Sequence, residues 1–189
     1  VAVYTLDGRR ARRLFSGPQS AGPQAQTWSV ILVGLAALSV VLGSVVAAAQ
    51  TDMKRLLAYS SIAHAGFALM GIASGTAEGV AATMTYACFY VFMTLGAFGI
   101  VIALGERGER VDGYRGLAAQ RPVAAAAMLL FLLSLTGIPL TAGFTAKFSV
   151  IQSAVHAGRT ELAVLAVLSS VVAAFVYMRV AVAMYMKEP

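Results

Sequence analysis

Residues 134–150 read SLTGIPLTAGFTAKFSV, an apolar run interrupted in two ways. Gly137, Pro139 and Gly143 are residues that weaken or end a helix. Lys147 then places a single charge in the run. No other Lys, Arg, Asp or Glu lies between Arg121 and Arg159. The surrounding apolar run, Val123 to Val155, holds 33 residues. As one straight helix it would measure roughly 50 Å, against a hydrocarbon core of about 30 Å. The run must therefore tilt, protrude or break, and GIPLTAG (residues 137–143) is the predicted break. An ammonium at the centre of a bilayer helix costs roughly 2.5–3.5 kcal/mol on insertion scales. A charge beside an interrupted membrane helix is how ion-handling proteins build their sites.

The rest of the chain agrees with a membrane setting. Its 189 residues are 59% hydrophobic and 12% charged, with a mean hydropathy of +0.80. Soluble domains carry about 25% charged residues. The formal net charge of +6 does not point to nucleic acid, because the charges fall mostly at the ends of apolar runs, as the positive-inside rule describes. Five spans are predicted, each near the roughly 20 residues a crossing needs: Thr27 to Ala49, Leu56 to Ser74, Gly79 to Leu104, the interrupted run Val123 to Val155, and Glu161 to Tyr185. The expected fold class is all-α, a polytopic membrane helix bundle of about five transmembrane helices with the fourth discontinuous. Residues 27–189 form that unit. Residues 1–26 carry four arginines and then a Gly/Pro/Gln/Ser stretch. They read as a loop, or the end of a preceding membrane segment, with no cleavable signal peptide.

Alternating loops place Lys54, Arg55, Arg107, Arg110, Arg115, Arg121, Arg179 and Lys187 on one side. Arg9, Arg10, Arg12, Arg13 and Arg159 fall on the other. The first side has the larger share and is expected to face the cytoplasm. Arg179, about two turns inside its helix, is expected to snorkel to the interface. The single Cys88 excludes an internal disulfide and is expected as a small buried hydrophobe.

Lys147 is the first candidate for chemistry. Gly143 is expected to open the second half-helix, so Lys147 falls in its first turns. The helix dipole there disfavours an ammonium by about 0.3–1 kcal/mol. Proton exchange near neutrality requires about 3.4 pKa units, or roughly 4.6 kcal/mol. Desolvation and a neighbouring charge must therefore supply most of that energy. The competing reading is a lysine that snorkels from a tilted helix end. The break beside Lys147 favours function.

The second candidate is TDMKRLLAYSSIAHAGF (residues 51–67). Lys54 and Ser61 share a helix face, and Ser60 and His64 form an i, i+4 pair. These groups make a polar track into an apolar helix, with hydroxyls able to relay protons and a histidine that titrates near neutrality. His64 lies about 15 Å into its span. Lys54 and Arg55 could equally be interfacial anchors. Tyr59 and Thr145 are supporting polar residues. In the third span Tyr86, Tyr90 and Met93 make one helical stripe, for which packing is the more expected role, although Tyr86 could line a hydrated path. Glu106, Glu109 and Asp112 read as a solvated loop. There is no phosphate-binding loop, metal-ligand spacing, cysteine cluster or nucleophile motif, so no metal site is expected and neither redox chemistry nor ATP hydrolysis is expected of this chain itself.

Two strings carry a family resemblance. TDMKRLLAYSSIAHAGF and SLTGIPLTAGFTAKF resemble hallmarks of the antiporter-like membrane subunits of respiratory complex I, and the YRGL stretch (residues 114–117) and the spacing fit the same family. The likeness covers nearly the whole chain from Thr27 onward. It implies the second of two inverted five-helix repeats, with its fourth helix discontinuous, Lys147 at the ionisable position of that broken helix and Lys54 and His64 in the preceding polar helix. It also implies proton translocation coupled to quinone reduction in other subunits of an NADH:quinone oxidoreductase. By that resemblance this chain holds no cofactor, while NADH, FMN, iron–sulfur clusters and quinone belong to partner subunits of a hetero-oligomer in a bacterial plasma membrane. Its partners are other membrane subunits and the lipid bilayer, not nucleic acid. A multi-subunit cation/proton antiporter subunit shares the motif, and a purely structural membrane subunit is the alternative of a different class. Ala146 stands where family members often carry glycine.

Overall fold

Five apolar segments give six long helices, because the fourth segment divides. The structure, a computed structural model, describes residues 23–188. Its long helices are α1 (Pro23–Ala48), α2 (Met53–Ala73), α3 (Ala77–Ala103), α4 (Pro122–Thr136), α5 (Ala142–His156) and α6 (Thr160–Met186). Helices α1, α2, α3 and α6 are each long and apolar enough to cross a membrane, and α4 is a shorter apolar helix. The expected boundary at Thr27 moves to Pro23, and the rest of the expected N-terminal loop lies outside the described residues.

The helix starts follow local chemistry. Asp52 caps α2 by accepting the Arg55 N–H at 2.9 Å, and Thr76 caps α3 by accepting the Gly79 N–H at 3.0 Å. Both satisfy N–H groups that a helix start leaves free. Proline opens α4, where its missing N–H costs nothing.

Close packing of α1 on α2 depends on two glycines that face each other's helix. A Cβ on Gly43 would lie 2.5 Å from the Ala63 nitrogen, and one on Gly66 would lie 2.8 Å from the Val40 nitrogen. Small residues at such positions let helix backbones approach in a bilayer, where lipid is as apolar as leucine and packing drives association. Accordingly, large apolar side chains such as Leu38, Leu95 and Val167 face outward, while Ser44, Ser60, His64, Ser134, Lys147 and Ser153 are buried. Cys88 is exposed on α3 and not buried as expected, because it lies on the outward face of that helix.

The two ends of the bundle match the predicted alternation. At one end Lys54 pairs with Glu109 at 2.7 Å. There Thr51 accepts the Val111 N–H at 2.9 Å, so the 104–121 connection is strapped to the start of α2. Tyr114 plugs this end, fully buried, with its hydroxyl on the Gly108 carbonyl at 3.1 Å. Burial without a charged partner raises its phenol above the ordinary tyrosine range. At the other end Arg159 donates to the Ser29 hydroxyl, and His156 approaches Glu78 at 3.4 Å.

Two apolar clusters fill the interior. One, towards the Lys54 end, contains Met53, Leu56, Tyr114, Leu132, Leu135 and Met184. The other contains Val40, Phe67, Met70, Tyr86, Ala146 and Leu162. Lys147 reaches from the second towards Leu135 in the first.

Candidate functional site

The break in the fourth segment is built from Gly137 to Thr141. Gly137 ends α4 with φ +84°, the left-handed region that glycine enters without a Cβ penalty. Its N–H donates to the Ser134 carbonyl at 3.0 Å, and the Ile138 N–H donates to Leu133 at 3.2 Å. This is the Schellman closure of a helix end. A turn then follows, with Pro139 at its second position, Leu140 at φ +76°, and the Thr141 N–H on the Ile138 carbonyl at 3.2 Å. Thr141 caps α5 through its hydroxyl, which accepts the Phe144 N–H at 3.3 Å. Ser134 ties the halves together by accepting the Gly143 N–H at 3.1 Å. A Cβ on Gly143 would lie 1.7 Å from the Ser134 carbonyl oxygen, so only glycine allows this approach.

The Schellman closure occupies the Leu133 and Ser134 carbonyls. It leaves those of Leu135 and Thr136 free, and these two accept from Lys147 Nζ, each at 2.9 Å. The lysine is only 5% exposed. Its nitrogen also stands 4.9 Å over the Phe67 ring, a cation–π placement.

This geometry corrects one sequence expectation. The backbone of Lys147 does lie in the opening turns of α5, near a positive dipole end. The side chain, however, carries its charge back to the C-terminus of α4, where the dipole is negative and favours a cation. The break thus holds the ammonium instead of repelling it.

A cavity with room for about one water molecule opens beside this lysine, lined by Ser44, Ser60, His64, Phe67, Lys147 and Tyr177 among others. His64 is 3% exposed and shares a 2.6 Å hydrogen bond between its Nδ1 and the Tyr86 hydroxyl. Its ring stacks on Tyr90 at 4.8 Å. The Tyr90 hydroxyl donates to Ser61 Oγ at 2.6 Å, and the Ser61 hydroxyl donates in turn to the Leu57 carbonyl at 2.9 Å. Ser60 and the Tyr177 hydroxyl are hydrogen-bonded across the α2–α6 contact. Four helices, α1, α2, α5 and α6, therefore line the cavity, and α3 backs it through Tyr86 and Tyr90.

Of the residues singled out from sequence, Lys147, His64 and Ser60 line the cavity, and Ser61 and Tyr86 adjoin it. Gly137 and Pro139 lie in the break, while Gly143 lies in the first turn of α5. Lys54 does not join them. Its side chain is 52% exposed at the bundle end and paired with Glu109, about 15 Å along α2 from His64. Thr145 is exposed, because it lies two residues from Lys147 and so on the far face of α5. Tyr59 is half-buried and does not line the cavity.

Arg179, expected to snorkel, acts as a cap, donating to the carbonyls of Ala48 and Gln50. Sequence reading missed Tyr177, Phe67 and Ser134. Tyr177 has a local signal, a phenol in an otherwise apolar span, whereas Phe67 and Ser134 have none. Among the described residues no group of three or more His, Cys, Asp or Glu side chains is placed to hold a metal ion.

A helical membrane bundle with an interrupted helix, a buried lysine on the carbonyls that end its first half and a histidine lining the same cavity defines a class of polytopic membrane protein. The chain belongs to the transmembrane family described as NADH:quinone oxidoreductase/Mrp antiporter, whose pattern matches residues 14–173. It is 45% identical over 191 residues to NADH-quinone oxidoreductase subunit N of Rhodospirillum rubrum, a match covering 100% of this chain and 38% of that protein. A chain of respiratory complex I from Thermus thermophilus superposes with a TM-score of 0.78 at 35% identity, covering 86% of this chain and 35% of its own length. A chain of the Mrp complex from Dietzia superposes with a TM-score of 0.79 at 25% identity, covering 86% and 31%. The chain thus spans only 31% to 38% of the length of these relatives.

Proposed function

We propose that this chain carries one proton-translocating unit of a membrane subunit of an NADH:quinone oxidoreductase in the bacterial plasma membrane. Other subunits of the hetero-oligomer carry NADH, FMN, iron–sulfur and quinone chemistry. The observation that carries this reading is the Lys147 amino group, held on the Leu135 and Thr136 carbonyls beside a water-sized cavity that His64 also lines.

In this account the protonated lysine is stabilised by the α4 helix end. It releases its proton when a positive charge arrives nearby, and regains one through the His64, Ser60 and Tyr177 cluster. Moving one charge across 100 mV requires about 2.3 kcal/mol, and a change of about two pKa units corresponds to about 2.7 kcal/mol, so the energies match in scale. A purely structural role would be favoured by an unbroken helix with the lysine facing lipid. The divided helix and the buried amine support the transport reading instead.

In the intact assembly, Lys147→Ala is expected to lower proton pumping at least tenfold per electron transferred, measured with a pH-sensitive dye in sealed vesicles alongside NADH oxidation. Undiminished pumping would overturn the reading. The antiporter branch of the family supplies the second reading. Proton movement that requires sodium and proceeds without quinone reduction would favour it.

A further inference from the structure

We propose that Phe67 is a positioning residue that recognises the charged form of Lys147, so that its ring helps set the pH at which the lysine exchanges its proton. The ring is 2% exposed and touches both sides of the proposed transfer. Lys147 Nζ lies 4.9 Å from its centroid, while the His64 ring lies at 6.2 Å and the Tyr86 ring at 6.1 Å, stacked. The negative face of an aromatic quadrupole attracts an ammonium and has no comparable attraction for a neutral amine. The ring therefore adds to the two carbonyls a third interaction that vanishes with the charge.

Among the described residues no carboxylate lines the cavity. The groups that face this lysine are His64 and Phe67 from α2, Tyr86 from α3 beyond the phenylalanine, the two carbonyls of α4 and Tyr177 from α6. With no counter-ion in that set, the carbonyls and the ring are the interactions that favour the cation. Phe67 also stands one turn from His64 on the same helix face. The ring that holds the charged lysine is therefore packed against the group proposed to exchange protons with it.

This inference rests on the proton-transfer reading of Lys147, and the test separates the two. The intact assembly is prepared with Phe67 replaced by 4-fluoro-, 3,5-difluoro- and 3,4,5-trifluorophenylalanine, which preserve shape while progressively weakening the quadrupole. Pumping per electron is measured against pH. Each step is expected to move the high-pH half-point of pumping to lower pH, by about 0.4–1.5 pH units in total, the shift equivalent to losing a cation–π contact of about 0.5–2 kcal/mol.

The sign follows from the charge. Weakening an interaction made only with the ammonium makes its proton easier to lose. Phe67→Leu, which removes the quadrupole, is expected to shift the half-point at least as far, with the thermal midpoint reporting any loss of packing. A half-point unmoved across the fluorine series, in an assembly where Lys147→Ala does abolish pumping, overturns the role of Phe67 alone. Normal pumping in Lys147→Ala overturns the reading beneath it.

Discussion

Two cations in this bundle make the same bonds in different places. Lys147 donates to two carbonyls at the end of α4, and Arg179 donates to two at and just past the end of α1. Each completes a helix terminus that would otherwise leave acceptors unpaired, and each places positive charge where the dipole is negative. They differ in what surrounds the charge and in what the charge can do. Arg179 lies part-buried where α1 ends, and a guanidinium does not lose its proton in proteins. Lys147 lies between the two apolar clusters, beside a cavity shared with a histidine, and an ammonium can be deprotonated when desolvated. The same hydrogen-bond pattern is thus a fixed cap in one place and, on the proposed function, an exchangeable site in the other.

The comparison breaks first at Gly143. A Cβ there would meet the Ser134 carbonyl oxygen at 1.7 Å, so Gly143→Val is expected to cost more than about 3 kcal/mol, beyond ordinary overpacking. The measurable result is loss of the assembled complex on a native gel. Gly137→Ala is milder. It places a Cβ 2.9 Å from Lys147 Cδ at a φ of +84°, and a left-handed non-glycine residue costs about 1–2 kcal/mol. The expected outcome is an assembled complex with a lowered thermal midpoint and reduced pumping, because the lysine is displaced. Arg179→Met removes the other cap. The expected loss is no more than about 1.5 kcal/mol, with pumping per electron unchanged. Pumping as impaired as in Gly137→Ala would show that the two caps are not functionally distinct.

Sequence made one half of this comparison legible. Glycine and proline in an overlong apolar run located the break, and one charge in that run located the lysine. The direction of the side chain was not legible. Lys147 belongs to α5 by sequence but serves the end of α4, and only the turn through Pro139 and Leu140 brings those carbonyls within its reach. The polar track on α2 was legible at Ser60, Ser61 and His64, because helical spacing puts them along the inner side of the helix. Lys54 shares that periodicity yet lies at the membrane end, where Glu109, 55 residues away in sequence, claims it. Tyr177 and Phe67 join the site through contacts between helices, which no local pattern encodes.

The central claim is that Lys147 works by releasing a proton, beyond carrying a charge that caps α4. Lys147→Arg tests this most directly, since it keeps the cation and its donors to Leu135 and Thr136 while removing the exchangeable proton, making this site chemically like that of Arg179. The account predicts an assembled complex that oxidises NADH while pumping at least tenfold fewer protons per electron. Wild-type pumping from the arginine variant would contradict it.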